Sequence, residues 1–254
     1  MLNFAIETAR EAGQILLEKF GRKIEISLKG DINLVTEADI ASEKYIVEKI
    51  KSHYPKHAIL AEESGASELQ SEWKWIIDPL DGTTNFAHGY PCWCVTLALE
   101  HNGEIVLGVT FDPTRDELFA AEKGRGATLN GRQIRVSETE KLGDALLVTG
   151  FPYDAKMRAD FARHFTEFTH KARGIRRDGS AAIDMAYVAC GRFDGFWEEG
   201  LNPWDVAAGV LLIEEAGGRV SYYDDSPFSI YAPPICSSNN LIHAEMLKVC
   251  SQKG

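Results

Sequence analysis

The sequence predicts a layered α/β fold, and three observations carry that expectation. Helical and strand periodicities share the 254-residue chain without an internal repeat or a low-complexity linker. Residues 93–129 read as short strands separated by tight turns, the pattern of an antiparallel meander. Beyond residue 140 strands and helices alternate instead. That change sets the expected boundary between an N-terminal half, 1–140, and a C-terminal half, 141–254, packed closely as one unit.

Leu2, Ile6, Ala9, Ile15, Leu16 and Phe20 lie on one helical stripe with Gly21 as a stop, predicting a helix over 2–20. Lys23–Leu28 alternates like a strand, and Lys29–Asn33 is turn-rich. A second helix is expected from Thr36 to about Tyr54, just before Pro55. Ala58–Ala61 is a short apolar strand closed by Glu62–Glu63–Ser64, followed by a polar loop over 65–72. Trp75–Ile77 reads as a buried strand. Proline restricts its predecessor and lacks an N–H, so this strand is expected to stop at Asp78–Pro79. Asp81–Gly82 turns the chain, and Thr83–Asn85 offers polar caps for a short helix closed by Gly89. The meander strands are expected at 93–100, 104–111, 117–121 and 127–129, with turns at Asn102–Gly103, Asp112–Pro113 and Asn130–Gly131. Strands at 145–149, 193–198, 219–222 and 234–237 then alternate with helices at 159–172, 181–189, 203–216 and 243–249.

Composition is that of a globular chain, 44% hydrophobic and 26% charged. No apolar run approaches the roughly 18 residues that span a bilayer. The start of the chain carries Glu7, Arg10 and Glu11 and does not read as a signal peptide, so the cytoplasm is the expected location. Five scattered cysteines (Cys92, Cys94, Cys190, Cys236 and Cys250) fit free thiols in a reducing compartment. Cys92 and Cys94 share a strand face but lack the second ligand pair that zinc needs. The seven histidines show no ligand or triad spacing. A formal charge of −11 argues against nucleic acid or an anionic membrane as a partner. An anion can still be held where bound cations reverse the sign locally.

The most informative stretch is Trp73–Phe86. Asp78 and Asp81 stand three residues apart at a strand's end, just before a helix start at Gly82–Thr83 whose amides would face outward. Carboxylates for a hard cation beside a backbone cradle for an anion point to metal-assisted phosphate chemistry. An Asp-Gly turn alone is equally a plain connection. Other acids also stand at element ends. Glu62 and Glu63 close a strand, Asp39 follows Thr36 by three residues, and Asp205 follows Asn202 by three with Pro203 between. Asp39 and Asp205 read equally well as helix-capping residues. Five separate acids at strand ends or helix starts around one anion cradle favour chemistry.

These motifs resemble the inositol monophosphatase family. Trp75–Phe86 is similar to its first signature, and Pro203–Gly209 through Glu215–Gly218 to its second. Glu62–Ser64 and Leu34–Asp39 match two further landmarks in the expected order, and the resemblance covers nearly the whole chain. It implies the αβαβα sandwich of the sugar phosphatases, a homodimer, and hydrolysis of myo-inositol monophosphate by metal-activated water attack. Glu62, Asp78 and the Leu80 carbonyl would hold one magnesium (Mg2+), Asp78, Asp81 and Asp205 a second, and Glu62 would help with a weaker third. Gly82 and Thr83 would give amides to the phosphate, while Thr83 and Asp39 would orient the attacking water and take up its proton. Asp81, Ala181, Glu198 and Asp205 would line the substrate site, with Glu199 an alternative to Glu198. Lys29 corresponds to a family lysine near the metal loop, or is a plain loop lysine. The resemblance also implies lithium inhibition.

Other substrates of the same scaffold stay open: fructose 1,6-bisphosphate, NADP, histidinol phosphate and 3′-phosphoadenosine phosphate. Arg176 and Arg177 could meet a second phosphate, but a subunit interface or plain solvation is the favoured reading. A regulatory or interaction protein on this scaffold is the alternative of another class. Loss of ligands would be its mark, and Glu62, Asp78, Asp81 and Asp205 are all present.

Overall fold

The structure, a computed structural model, describes residues 1–22, 26–29, 33–152 and 158–251. Helix α1 (Leu2–Lys19) buries Ala5, Ala9, Ala12 and Leu16, spaced by four, three and four residues along one stripe. Strands β1 (Ile26–Lys29) and β2 (Asn33–Thr36) pair antiparallel, with Ile26 opposite Thr36. The expected strand over 23–28 thus ends one residue later, at Lys29, with 23–25 outside the described residues, as are 30–32 of the expected loop. Helix α2 (Glu37–His53) opens on a capping box: Ala38 N–H donates to Thr36 Oγ1 at 3.1 Å and Thr36 N–H to Asp39 Oδ2 at 2.8 Å. Such a cap is worth about 1 kcal/mol.

Strands β3 (Ala58–Ala61) and β4 (Gly65–Ala66) form a hairpin around Glu62–Ser64, so the expected 65–72 loop begins as strand. Strand β5 (Trp73–Asp81) corrects the expected stop at Asp78–Pro79. It continues to Asp81, with Asp78 opposite Thr96, Asp81 opposite Cys94 and a register shift between them. Pairing of β5 with β3 ends at Ile77, so Pro79 owes no hydrogen bond on that side and sits where the ladder is irregular. Helix α3 (Thr83–Ala87) is capped by Gly82 at φ 92°, not by a side chain of Thr83–Asn85. A Cβ at Gly82 would stand 2.8 Å from the Cys92 carbonyl oxygen, so glycine is required for space and for conformation.

The meander follows as β6 (Cys94–His101), β7 (Glu104–Asp112), β8 (Glu117–Glu122), β9 (Ala127–Leu129) and β10 (Arg132–Gln133). Both residues of Asn102–Gly103 and of Asn130–Gly131 have positive φ, as two-residue hairpins prefer. The remaining elements are β11 (Leu146–Thr149), α4 (Arg158–Lys171), β12 (Gly174–Arg176), α5 (Ala181–Ala189), β13 (Gly195–Glu198), α6 (Pro203–Glu215), β14 (Arg219–Ser221), β15 (Ile235–Ser238) and α7 (His243–Cys250).

The larger sheet has the order β10-β9-β8-β7-β6-β5-β3-β4 and the smaller β12-β11-β13-β15-β14. Period-two alternation assigns the strand faces to layers. Trp75 and Ile77 join α1 and α2 on the outer face of the larger sheet, while Ile76 turns to the opposite face. There α5 and α6 fill the space between the sheets, with Ile76, Ala98 and Phe119 on one side and Val148 and Phe196 on the other. Leu147 and Trp197 face outward to α4 and α7 around Phe168 and Met246. The layers are therefore α, β, α, β and α, the sandwich expected from the resemblance. Among the described residues no helix is long and apolar enough to cross a membrane. All five cysteines are free thiols, four buried and Cys190 half-buried.

Candidate active site

Strands β3 and β5 run parallel with Ala61 opposite Ile77, and the ladder extends one step as Glu62 N–H donates to the Ile77 carbonyl at 3.2 Å. Their C-terminal ends deliver Glu62 and Asp78 side by side, and the carboxyl ends of strands are where α/β folds place ligands. In the smaller sheet β11 and β13 also run parallel, Thr149 opposite Trp197; Gly150 follows the end of β11, and Glu198 ends β13. A cleft of about 340 Å³ opens between these ends and the N-termini of α5 and α6. Glu62, Asp78, Leu80, Asp81, Gly82, Thr83, Ala181, Glu198 and Asp205 all line it.

At its floor, oxygens of Asp78, Asp81 and Asp205 lie within 4.8 Å of one another. Asp78 is buried, and its Oδ1 accepts the Leu80 N–H at 2.9 Å. Asp81 Oδ2 accepts the Ser180 hydroxyl at 2.5 Å and the Ala182 N–H at 2.8 Å. Asp205 Oδ2 accepts the Asn202 N–H at 2.7 Å, so one carboxylate both caps α6 and faces the acid cluster.

Burial, reinforced by the charges of Glu62, Asp81 and Asp205, pushes Asp78 well above the usual carboxylate range. Burial also raises Asp81, against the hydrogen bonds from Ser180 and Ala182. Asp205 is pushed up to about 8 by burial and then by the charge of Asp81. Acids crowded in this way cannot all ionise without a compensating cation. Seven acids line the cleft against a single arginine, Arg177, among the described residues. The donors at the cluster are carboxylate oxygens, a set suited to a hard cation such as Mg2+, and Leu80 lines the cleft beside them. The residues present therefore fit a magnesium centre.

Asp39 does not line the cleft but stands one hydrogen bond behind it, its Oδ1 3.0 Å from the Thr83 hydroxyl. Burial raises it, against the bonds from Thr36 and Thr83. Glu198 and Glu199 both line the cleft and differ in their partners. Glu198 is buried and pushed up to about 8 by burial and then by the charge of Asp205, with Arg177 opposing. Glu199 lies 3.2 Å from His164 Nδ1. Arg177 is exposed, as the solvated reading expects, and it also lines the cleft, its guanidinium 4.8 Å from the Phe151 ring centre. Arg176 is exposed. The backbone of Lys29 lies in β1, and its side chain is outside the described residues.

The family model for inositol monophosphatases matches residues 1–253. The chain belongs to the inositol monophosphatase family. An inositol-1-monophosphatase of Synechocystis is 48% identical over 250 residues, covering 96% of this chain and 86% of that relative. A protein of Pseudomonas aeruginosa named Nus factor SuhB is 45% identical over 234 residues, covering 89% and 86%. The solved inositol monophosphatase of Anabaena is 47% identical, with a TM-score of 0.91 over 100% of this chain and 96% of that one. Membership makes the chain a phosphatase.

Three inositol monophosphatase cleft features were not singled out by sequence. Ser180 anchors Asp81, and a cap signature before an apolar helix is the signal that marks it. Asp184 lines the cleft with Oδ1 buried and without a hydrogen-bond partner among the described residues. Glu43 holds the turn after Glu62, and nothing in its local sequence announces that.

Proposed function

We propose that this phosphatase is a Mg2+-dependent phosphomonoesterase acting on a small polyol phosphate, with myo-inositol monophosphate as the preferred substrate. The approach of Asp78, Asp81 and Asp205 to within 4.8 Å of one another, beside a helix start at Gly82–Thr83 that lines the cleft, carries the reading. Bound magnesium supplies positive charge to the phosphoryl oxygens and to the departing alkoxide. Glu62, Asp78, Asp81, Asp205 and the Leu80 carbonyl would hold it, and these five residues all line the cleft. The Gly82 and Thr83 amides receive the phosphate, a preorganised donor pair that costs no rearrangement in the transition state. Thr83 orients the attacking water, and the proton that water loses passes to the Thr83–Asp39 pair. Asp81, Ala181 and Glu198 meet substrate hydroxyls, with Glu198 favoured over Glu199 because Glu199 faces His164.

Phosphate release from a panel of inositol 1-phosphate, fructose 1,6-bisphosphate, NADP and histidinol phosphate, with and without Mg2+, tests this reading. The expected result is metal-dependent turnover, highest on inositol 1-phosphate and inhibited by lithium. Equal turnover with metal chelated would overturn it. Free thiols fit a cytoplasmic enzyme. The family resemblance supports a homodimer, which light scattering checks.

The relative named Nus factor SuhB favours a second reading, a macromolecular partner beside catalysis. A pull-down from cell extract with wild type and Asp78→Asn distinguishes the two, since a partner role independent of hydrolysis survives that substitution.

A further inference from the structure

One face of α2 touches three of the segments that carry cleft residues. Asp39 accepts from Thr83, the first residue of α3. One turn on, the Ser42 hydroxyl donates to the Pro79 carbonyl at 2.9 Å, next in sequence to Asp78. Beside it, the two carboxylate oxygens of Glu43 accept the Glu63 N–H at 2.8 Å and the Ser64 N–H at 2.9 Å, directly after Glu62. Positions 39, 42 and 43 are i, i+3 and i+4, one helical face. All three are buried, Glu43 being 5% exposed.

The acids differ in how much support they need. Asp78 stands on β5, flanked by β3 and β6 in the interior of the larger sheet. Glu62 stands on a hairpin turn whose second strand, β4, is two residues long and forms the sheet edge. Edge pairing that short does little to stiffen a turn. A carboxylate that takes two successive amides through separate oxygens fixes both the position and the plane of that turn. Hydrolysis as described above gives Glu43 no step of its own.

We propose that Glu43 is a positioning residue: by clamping the Glu63 and Ser64 amides it sets the distance from the Glu62 carboxylate to Asp78, and so tunes divalent-cation affinity. The spacing of the acids is then defined by α2, a rigid element shared by all three loops. This rests on the metal-centre reading of the cleft, and outer partners of metal ligands are known to matter for affinity.

The test is Mn2+ binding by calorimetry, independent of turnover. Glu43→Gln keeps the shape but turns one acceptor into a donor facing an amide. Its Mn2+ affinity is expected to fall about tenfold, with half-saturating Mg2+ for hydrolysis rising in step and KM for the ester at saturating Mg2+ moving less than about twofold. In a Glu62→Gln background the same substitution is expected to weaken Mn2+ binding by less than about twofold, because the ligand it positions is already gone. Mn2+ affinity unchanged in Glu43→Gln while the melting temperature drops would overturn the proposal, as would a full tenfold loss in the Glu62→Gln background. Should Glu43→Gln fail to fold, Glu43→Asp, too short to span both amides, is read by the same criteria. A wild-type protein that binds no Mn2+ sinks the metal reading together with this inference; normal wild-type binding that Glu43→Gln leaves intact sinks this inference alone.

Discussion

Thr83 Oγ1 lies 3.0 Å from Asp39 Oδ1 and 3.0 Å from the Leu80 carbonyl oxygen, joining residues 44 apart in sequence. A hydroxyl has one proton, so it serves one of these acceptors at a time. Asp39 Oδ2 is already committed to the Thr36 N–H and hydroxyl, at 2.8 and 2.6 Å. In Asp39→Asn the amide oxygen keeps those two bonds and the NH2 turns to Thr83, reversing that hydrogen bond. The cap of α2 survives, but the proton acceptor is gone. The expected outcome is a loss of about 10²–10⁴ in kcat at saturating Mg2+, with a melting temperature close to wild type. Steady-state kinetics with matched thermal melts check it, and near-normal kcat would remove Asp39 from the proton path.

The crowded acids make a prediction about the metal-free protein. Asp205 and Glu198 are both pushed up to about 8, chiefly by burial. Between the ordinary carboxylate range, about 4, and that value, the folded state holds more protons than the unfolded chain. Stability therefore falls as pH rises through this window. Without divalent cation the protein is expected to melt at a higher temperature near about pH 5 than near about pH 8. Added Mg2+ competes with those protons, so it should raise the melting temperature more at the higher pH. Scanning calorimetry at both values checks the sign, and a stabilisation larger at the lower pH would contradict it.

How much of this is legible in the sequence depends on how local each signal is. Asp78 and Asp81 announce themselves because three residues separate two acids at a strand end. Asp205 is a capping residue by every local rule, and it does cap; that it also faces Asp78 and Asp81 is decided by the packing of α6 between the sheets. Proline rules fail at Pro79 because they assume a partner on both strand edges, and β3 supplies none beyond Ile77. Strand β12 spans Gly174–Arg176, too short for any periodicity to register. Arg177 reads as a solvated residue and is exposed, but its place on the cleft wall over Phe151 is set by tertiary packing. Glu43 is invisible for the same reason: an acid inside a helix is ordinary, and the amides it holds lie 20 and 21 residues away.

Asp78 separates function from stability. Its carboxylate is buried among the charges of Glu62, Asp81 and Asp205, so neutralising it relieves repulsion. Metal-free Asp78→Asn is expected to melt no lower than wild type, with a gain of about 2–4 °C for each kcal/mol of strain removed. Turnover, which needs the charge, should fall more than about 100-fold. Asp205→Asn should lose turnover alike while its amide oxygen still accepts from Asn202. Near-normal hydrolysis by both variants would overturn the metal-centre reading.

Glu198 offers a test of substrate preference through its neighbour Gly150. Gly150 follows β11 and Glu198 ends the neighbouring β13, so the Glu198 carboxylate occupies the space a side chain at 150 would need. The Gly150 backbone also hydrogen-bonds that carboxylate. A methyl group in Gly150→Ala must displace Glu198 from the cleft wall without altering Asp78, Asp81 or Asp205. If Glu198 meets substrate hydroxyls, Gly150→Ala should copy Glu198→Ala: kcat/KM on inositol 1-phosphate falls about 10–100-fold, the scale of one lost charged hydrogen bond. Turnover of 4-nitrophenyl phosphate, which has no hydroxyls to bind, should change less than about threefold in both variants. Parallel losses on the two substrates would place the damage at the metal cluster instead, and an unchanged ratio would take Glu198 out of substrate recognition.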